Sequence, residues 1–479
     1  MDGPNVLVLM SDEHQARAMG CAGHPFVRTP NLDALAARGT RFADAYTPSS
    51  ICVPARASFA TGRYVHQTRM WDNAMPYDGS IPGWGHALQE KGVPVESIGK
   101  LHYRSKEDPA GFDIEHIPMM VAGGVGMVWA SIRKEEERIS GEGRMLGDYI
   151  GPGDSKYTDY DAAVTRRTVD WLKERSASTQ RRPWCLYVGL VAPHFPLVVP
   201  QEFYDRYPPD SLPDPKLHPR DGHPRHPWVE KQNGFNDSES KFEDEEERRR
   251  AIAAYFGLCT WLDHNIGQIL SALQASGEAE NTVVVYTSDH GDNVGARGLW
   301  GKSNLYLESV AVPLIMAGPN IPVGTCRTPV SLLDLSATIP ALFGAELDGT
   351  AGIRPLDAIA REPDDPERIM FSEYHAAGAV SGAFMLKKGR WKYHYYVGFP
   401  PELFDLDEDP EETRNLADDP DFRDILAMMD GELRNICDPE VTDAQAFADQ
   451  AALIKRVGGR DAALGLGAPG ATPPPEIKP

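Results

Sequence analysis

The chain has 479 residues, of which 48 are Lys or Arg and 70 are Asp or Glu, so its formal net charge is −22. This acidic balance argues against general binding to nucleic acid or to an anionic membrane surface, because both would repel the protein. A hydrophobic fraction of 41% with a charged fraction of 25% is ordinary for a globular protein, and the length permits one large α/β domain with an appendage.

The apolar runs, the N-terminal segment and the cysteine spacing indicate in which cellular compartment the protein is found. The chain contains no apolar run of about 18 residues, the minimum for a membrane span. The N-terminus passes into the apolar run 5–10 without the positive segment of a signal peptide. Six widely spaced cysteines include no CxxC pair, which argues against a disulfide framework or a zinc knuckle. We therefore predict a cytoplasmic protein without a membrane partner.

Strand-like and helix-like segments alternate along the first 365 residues. Apolar segments of strand length lie at residues 5–10, 95–98, 184–190, 282–287 and 312–317. Helical patterns lie at about residues 30–38, 161–176, 244–275 and 332–343. The first helix has Thr29 as its predicted hydroxyl cap, Pro30 in its first turn and Gly39 at its end. This alternation predicts an α/β fold in which helices sandwich a large, mostly parallel sheet.

The pattern changes beyond about residue 365. Short antiparallel strands are predicted at residues 369–374, 382–388 and 391–397, and helices near 421–436 and 443–457. We therefore predict an α/β domain of residues 1–365 and a smaller α+β subdomain of residues 366–479. The final residues 465–479 are rich in Gly, Pro and Ala, which predicts a tail that is ordered only against a partner, such as a neighbouring subunit.

Carboxylate and imidazole side chains follow two of the predicted strands. Asp12 and Glu13 follow the first strand, and Asp289 and His290 follow the fourth. Ligands bind at the carboxyl ends of parallel strands, so a sheet that joined these two ends would create a set suited to a divalent cation. The structural alternative is that Asp and His are common turn and cap residues after strands.

Cys52 and Arg56 form a third candidate element. They lie before Gly62, which is placed to close a short helix that begins near the cysteine. A cysteine at a helix N-terminus close to an arginine has surroundings that lower a thiol pKa and hold an anion. The alternative is a small buried cysteine with a surface arginine.

Residues 52–58 have the pattern Cys-x-Pro-x-Arg-Ala-Ser, which resembles the signature of the type I sulfatases in the alkaline-phosphatase-like superfamily. The resemblance extends from residue 5 to about residue 417 and implies the alkaline-phosphatase-like α/β fold. Further segments match the family in a fixed order: the first strand with Asp12, Thr29-Pro30-Asn31, Gly99-Lys100-Leu101-His102, Ala192-Pro193-His194, Ser288-Asp289-His290-Gly291-Asp292, Gly301-Lys302, and Glu402-Leu403-Phe404-Asp405-Leu406.

The resemblance implies that Cys52 is oxidised to formylglycine by a separate formylglycine-generating enzyme. The hydrated aldehyde would supply one hydroxyl to attack the sulfur of a sulfate ester, which gives a covalent sulfated intermediate. Its second hydroxyl would then expel sulfate by restoring the aldehyde.

The resemblance also implies one divalent metal ion. Asp12, Asp289, His290 and the diol of residue 52 would bind it, with Glu13 as a weaker ligand where many relatives carry a second aspartate. His290 stands where other relatives carry Asn, as in a branch that resembles choline sulfatases and phosphonate monoester hydrolases. An imidazole moves the preference from Ca²⁺ towards Mn²⁺ or Zn²⁺.

Further catalytic roles follow from the same resemblance. Arg56 would fix the modified residue, and Lys100 and Lys302 would bind the sulfate oxygens. His194 would be the acid for the leaving oxygen and His102 the base for the release of sulfate. Lys100, His194 and Lys302 would contact the substrate, together with Asn73. The structural alternatives are solvated surface charges for the lysines and a packing role for His194.

The predicted function is therefore an arylsulfatase-like hydrolase that cleaves small-molecule aryl or alkyl sulfate monoesters, with a homo-oligomer as the default assembly. The first alternative is a phosphonate monoester or phosphodiester hydrolase with the same site. As we understand that branch, it lacks the pair equivalent to Lys100 and His102, so their presence favours sulfate. The second alternative is a non-catalytic metal-binding scaffold with an unmodified Cys52. A cysteine phosphatase is disfavoured, because Pro54 removes an amide from its phosphate loop.

Overall fold

The computed structural model describes residues 3–134, 136–137, 139–141, 143–177, 182–349, 352–468 and 470–477. Its strands are β1 (Asn5–Asp12), β2 (Thr40–Phe42), β3 (Ala45–Tyr46), β4 (Val95–Lys100), β5 (Ile114–Met119), β6 (Gly151–Pro152), β7 (Cys185–Pro193), β8 (Val198–Val199), β9 (Thr282–Ser288), β10 (Leu314–Ala317), β11 (Gly324–Cys326), β12 (Val330–Ser331), β13 (Met370–Tyr374), β14 (Ala383–Lys388), β15 (Trp391–Tyr396) and β16 (Glu402–Asp405).

The α-helices vary from single turns to 31 residues in α8. They are α1 (Pro30–Ala37), α2 (Cys52–Thr61), α3 (Val65–Thr68), α4 (Trp84–Glu90), α5 (Lys156–Ala177), α6 (Gln201–Tyr204), α7 (Pro227–Asn233), α8 (Glu245–Ala275), α9 (Leu307–Val310), α10 (Leu332–Ala341), α11 (Leu356–Ile359), α12 (Arg423–Ile436), α13 (Pro439–Arg456) and α14 (Arg460–Leu464).

Eight strands form the large sheet, in the order β11-β2-β10-β9-β1-β7-β4-β5. The central strand β1 is parallel to both neighbours, because Val6 pairs with Cys185 of β7 and with Val283 of β9. β4 is parallel to β5 and to β7, whereas β10 is antiparallel to β9 and to β2. The prediction of a large, mostly parallel sheet is therefore confirmed.

Helices cover both faces of this sheet. Successive side chains of a strand point to opposite faces, so β1 contributes to two separate cores. Leu7 and Leu9 join a core that includes residues of α1, α5 and α8. Val6 and Val8 join the opposite core, with residues of α2, α4 and α10. Burial on both faces explains why the strands have continuous apolar sequences rather than alternating ones.

A second, antiparallel sheet lies in the C-terminal part, in the order β13-β14-β15-β16. Met429 and Leu433 of α12 pack in the core of one face, and the other core includes Tyr46 and Trp228 from the first part of the chain. The first three strands confirm the prediction. The sequence interpretation missed the fourth, because it treated residues 402–406 only as part of a motif. The boundary at residue 365 stays a prediction.

The prediction that the Thr29 hydroxyl caps the first helix is wrong. α1 begins at Pro30, directly after Thr29. The Thr29 hydroxyl nevertheless donates to Asp33 Oδ1 at 3.0 Å and accepts from the Gly20 amide at 2.9 Å, so it caps no amide of α1. The carboxylate of Asp263 accepts the Asn31 and Leu32 amides instead. Long-range contacts thus replaced the local cap that the sequence pattern indicates.

Two further features of the structure relate to the predicted cellular compartment. Among the helices that the structure describes, none is long and apolar enough to cross a bilayer. The six cysteines are unpaired. The cytoplasmic location and the homo-oligomer stay predictions.

Candidate active site

Several of the predicted site residues lie at the carboxyl ends of four adjacent strands, β9, β1, β7 and β4. Asp12 ends β1, and Asp289 directly follows β9. Lys100 ends β4, and His194 directly follows β7. Parallel pairing puts these strand ends at one edge of the sheet, where ligands bind in open α/β folds. The sheet thereby brings together side chains that lie up to 277 residues apart, as the Ser11–Ser288 pairing shows.

Helix α2 delivers Cys52 to this edge. The helix begins at Cys52 and ends before Gly62, whose φ of 65° closes it in the left-handed conformation. Cys52 Sγ lies 3.6 Å from Asp12 Oδ1 and 3.2 Å from His290 Nε2. The cysteine is 2% exposed, and the other two side chains are fully buried. The predicted short helix and the approach of Cys52 to the strand ends are both present.

Arg56, one turn further along α2, lies beneath the two aspartates. Its Nε donates to Asp289 Oδ2 at 2.8 Å and its Nη2 donates to Asp12 Oδ2 at 3.1 Å. Lys100 Nζ lies 2.6 Å from the same Asp12 oxygen. Burial alone would raise the pKa of Asp12, but Lys100 and the other nearby cations hold this pKa well below its usual value. The Oδ2 atoms are thus engaged by cations, while the Oδ1 atoms face Cys52 and His290.

These contacts make the cluster fit for a divalent ion. His290 Nδ1 lies 3.0 Å from the carbonyl oxygen of Gly291, so a proton donated there leaves the Nε2 lone pair free. His290 Nε2 lies 3.8 Å from Asp12 Oδ1 and 3.7 Å from Asp289 Oδ1. One ligand atom each from Asp12, Cys52, Asp289 and His290 lies within 4.8 Å of the others, and all four residues are buried. Two carboxylates, an imidazole and residue 52 suit a transition metal or Ca²⁺.

Glu13 belongs to a different group. Its φ of 71° turns the chain after β1, and its Oε2 lies 2.8 Å from Lys302 Nζ and 3.3 Å from His194 Nε2. Its Oε1 is buried and meets no hydrogen-bond donor among the residues that the structure describes. Burial raises the pKa of Glu13 well above its usual value, against the charge of Lys302. Glu13 could share an ion with Asp12 and His194, but it stands apart from the four-residue cluster around Cys52.

The two candidate proton-transfer histidines are buried, at 5% exposure for His102 and 6% for His194. This burial lowers the pKa of both imidazoles well below the usual value, and the lysines nearby add to the effect. His194 Nδ1 lies 2.5 Å from the Phe195 carbonyl oxygen, which directs Nε2 towards Glu13 and Asp12. His102 has a φ of 59°, and its Nε2 lies 2.9 Å from Thr472 Oγ1.

The expected lowering of the Cys52 thiol pKa is wrong. Burial, followed by the charge of Asp12, raises the pKa of this thiol to about 12. The position at the start of α2 is correct, but the desolvation of a fully enclosed thiol outweighs the favourable helix terminus and the nearby lysines. An unmodified Cys52 is therefore a protonated thiol at neutral pH, which makes it a poor nucleophile.

Asn73 borders the same site through the start of α2. Its Oδ1 accepts the amide hydrogen of Val53 at 3.3 Å, which satisfies one of the free amides of that helix terminus. Asn73 also lines the cavity above Cys52. The structure thus places all of the predicted site residues around one cavity or directly beneath it.

Sequence reasoning missed two residues that fix this geometry. Tyr187 on β7 accepts from Arg56 Nη1 at 2.9 Å. Asp161 on α5 accepts the amides of Val191 and Ala192 at 2.7 and 2.8 Å, which fastens the chain just before His194. Neither position carries a local signal, because a tyrosine in a buried strand and an acid in a helix are ordinary there.

A cavity of about 410 Å³ opens above Cys52. Its wall combines cationic and aromatic side chains, which suit an anionic group joined to an organic body. The described part of the wall includes Lys100, His102, Arg144, His194 and Lys302, and the aromatic residues Trp129, Tyr157, Phe195, Phe235 and Trp300.

Comparisons with known proteins agree with this geometry. The family model described as Sulfatase matches residues 4–345, more than half of the chain. The chain belongs to the sulfatase family. A second model, described as N-sulphoglucosamine sulphohydrolase, C-terminal, matches residues 295–438 of this sulfatase.

Curated relatives extend over most of the sulfatase chain. Choline-sulfatase of Rhizobium meliloti (strain 1021) is 34% identical over 429 residues, which cover 87% of this chain and 83% of the relative. Arylsulfatase K of Danio rerio is 30% identical over 461 residues, which cover 91% of this chain and 84% of the relative. The predictions of family and of a sulfatase enzyme are thereby confirmed.

A solved structure supports the fold. Phosphonate monoester hydrolase of Agrobacterium radiobacter superposes with a TM-score of 0.72 at 21% identity, covering 92% of the sulfatase chain and 96% of that chain. At this identity the likeness concerns the fold alone. It confirms the predicted large parallel sheet with a separate C-terminal sheet.

Proposed function

We propose that this sulfatase hydrolyses aryl or alkyl sulfate monoesters, with residue 52 as the nucleophile after its oxidation to formylglycine. The observation that carries the proposal is the contact of buried Cys52 with Asp12 and His290 at the start of α2. A hydroxyl in this position would adjoin two carboxylates and an imidazole, a set that suits a divalent ion. The choline-sulfatase relative makes choline sulfate one of the alkyl esters to test.

The residues that would hold the metal are Asp12, Asp289, His290 and residue 52, and the ion is Ca²⁺, Mn²⁺ or Zn²⁺. A divalent ion held there would act as a Lewis acid that lowers the pKa of the hydroxyl on residue 52. Asp289 belongs to the same cluster, and we assign to it the role of the base that accepts the proton of the attacking hydroxyl. Arg56 keeps both aspartates in place through their Oδ2 atoms.

Lys100 and Lys302 supply positive charge on two sides of the cavity above residue 52. Lys100 contacts Asp12, and Lys302 contacts Glu13 and lies over the Phe195 ring at 4.9 Å. Because the sulfate oxygens gain charge as the ester bond breaks, fixed cations in a buried site favour the transition state. Each lysine already forms an ion pair with an acidic residue, so substrate binding does not have to fix its side chain in place.

The histidines would move the protons. His194 lines the cavity and is fixed through Nδ1 by the Phe195 carbonyl, with Nε2 at 3.3 Å from Glu13 Oε2; it would protonate the leaving oxygen. His102 would accept the proton of the second hydroxyl on residue 52, which releases sulfate and restores the aldehyde. The buried Nδ1 atom of His102 has no hydrogen-bond partner among the described residues, so it can take up that proton.

The test combines a mass measurement with paired substrates. Expression with a formylglycine-generating enzyme should yield a residue-52 peptide lighter by about 18 Da than the cysteine form. Metal-replete protein with this mass should cleave 4-nitrophenyl sulfate faster than a matched aryl phosphonate, with Cys52→Ala as the inactive control. A phosphonate preference of orders of magnitude would support the phosphonate hydrolase. An unmodified, inactive protein would support the non-catalytic scaffold.

A further inference from the structure

In the C-terminal segment 466–475, the described residues 466–468 and 470–475 lie against their own chain. The Ala468 amide donates to Gly126 O at 3.2 Å, and Trp129 Nε1 donates to Ala468 O at 3.0 Å. Ala468 is 3% exposed. The predicted tail thus contacts residues 126 and 129 of its own chain. Residues 469, 478 and 479 of that tail lie outside the described residues.

The same segment reaches the candidate active site. The Tyr157 hydroxyl donates to Thr472 O at 2.5 Å, and Thr472 Oγ1 lies 2.9 Å from His102 Nε2. Residues 470–472 line the 410 Å³ cavity together with Cys52. A stretch that the sequence marks as a tail rich in Gly, Pro and Ala therefore forms part of the wall above the predicted nucleophile.

We propose that segment 466–475 closes the active-site cavity in its own chain and that Thr472 is a positioning residue for His102. The second part rests on the proposed function of His102, whereas the first part concerns the folded chain alone. Through this contact the end of the chain sets both the orientation of the imidazole and the space left for the alcohol half of the ester.

The close approach of Gly467 to Gly126 shows that the segment packs tightly against the loop around residue 126. Gly467 has a φ of +81°, and a Cβ there would lie 1.5 Å from Gly126 O, so only glycine fits. Farther along, Pro473, Pro474 and Pro475 restrict the backbone. A stiff proline run loses less conformational entropy when it docks than a flexible tail does.

Thr472 has suitable chemistry for holding a histidine that changes its protonation state. A hydroxyl can donate or accept, so it can stay bonded to Nε2 of His102 in either tautomer and in the charged form. Within the described part of the chain, the other ring nitrogen of His102 is buried without a partner. Loss of the Thr472 hydroxyl would therefore leave the ring held only by packing, free to turn away from residue 52.

The segment also limits the size of the cavity. Removing residues 467–479 would delete the wall formed by residues 470–472 and open the site beside Trp129 and Tyr157. A wider cavity would admit larger alcohols and would hold small esters less tightly. The intact chain should accordingly prefer compact sulfate esters.

The first experiment compares four variants, each matured and checked for formylglycine. Thr472→Val should lower kcat for 4-nitrophenyl sulfate about 10-fold to 100-fold with little change in KM, and Thr472→Ser should restore most of it. A chain that ends at Leu466 should raise the kcat/KM ratio of a bulky sugar sulfate to 4-nitrophenyl sulfate. A chain that ends at Pro475 should keep the original ratio. Unchanged kcat in Thr472→Val would overturn the positioning role.

The second experiment needs no turnover, so it separates this inference from the proposed function. Hydrogen exchange of the full chain should show protection in the peptides around residues 121–129 and 466–475, independent of protein concentration. Substitution Gly467→Val should remove the protection of both peptides together. Absence of protection, or protection that appears only at high concentration, would overturn closure within one chain. An inactive protein with concentration-independent protection would refute the proposed function but preserve the placement of the segment.

Discussion

Arg56 Nε donates to Asp289 Oδ2 over 2.8 Å, with both side chains at most 1% exposed. This contact joins helix α2 to the end of β9, and a second bond from Arg56 reaches Asp12 at the end of β1. One guanidinium thus bridges two buried carboxylates that would otherwise repel each other, and Lys100 adds a second positive charge beside Asp12. Arg56 is therefore a structural support as well as a candidate catalytic residue.

Arg56→Gln should destabilise the fold by about 3–5 kcal/mol, because it leaves two buried carboxylates without their shared partner. The check is the free energy of unfolding from urea titration of the metal-free protein. Arg17→Gln is the matched control, since Arg17 pairs with Glu411 at the surface with 47% of its side chain exposed. That change should cost at most about 1 kcal/mol. Equal losses of unfolding free energy in the two variants would contradict a special structural role for Arg56.

Asp289→Asn and His290→Ala should each lower bound metal to well below one equivalent, because each removes a member of the four-residue cluster. Elemental analysis by plasma mass spectrometry measures the content, and chelation of the parent protein should abolish turnover. Asp78→Asn serves as the control, because Asp78 is partly exposed and contacts Arg104 and the Ser80 amide rather than the cluster. Full metal content in both cluster variants would place the ion elsewhere.

Glu13→Gln should retain the metal but lose activity. The Glu13 side chain bonds to Lys302 at 2.8 Å and stands outside the group formed with Cys52, so it acts mainly by holding that lysine in place. We expect about a 10-fold or greater fall in kcat/KM at unchanged metal content. Metal loss as severe as in Asp289→Asn would instead make Glu13 a ligand.

His102→Ala should slow the release of sulfate more than its transfer to the enzyme. Rapid-mixing experiments with 4-nitrophenyl sulfate should show a burst of nitrophenol, and mass spectrometry should find a covalent adduct at residue 52. His86→Ala is a control, because His86 bonds to the Pro109 carbonyl away from the site. A variant with slow nitrophenol release and no adduct would reassign His102 to the first step.

His66→Gln should destabilise the protein more at about pH 6 than at about pH 9. Burial would lower the pKa of His66, but the Glu373 carboxylate at 2.8 Å raises this pKa above 6.5. A raised histidine pKa contributes stability below pH 6.5, which is lost as the pH rises through the folded-state value. Melting temperatures of both proteins at the two pH values measure the difference. A constant difference would show that the charge of His66 contributes nothing.

Much of the fold could be predicted because its signals are local. The apolar run of β1, the β-branched run of β9 and the amphipathic pattern of α5 each follow from burial on one or two faces. β16 could not be predicted in this way, because its four residues gain strand geometry only by pairing with β15. The Thr29 cap failed for a related reason, since Asp263 of α8 took its place through a distant contact.

The sequence by itself determined which chemical groups are present and in what order: Asp12, the Cys52 to Arg56 helix start, and Asp289 with His290. Only the tertiary structure decided how they face each other. It placed the pKa of the Cys52 thiol above its usual value rather than below, since burial depends on all the surrounding segments. It separated Glu13 from the cluster, and it brought Thr472 to His102 across 370 residues. Such contacts join remote segments, and no local pattern in the chain encodes them.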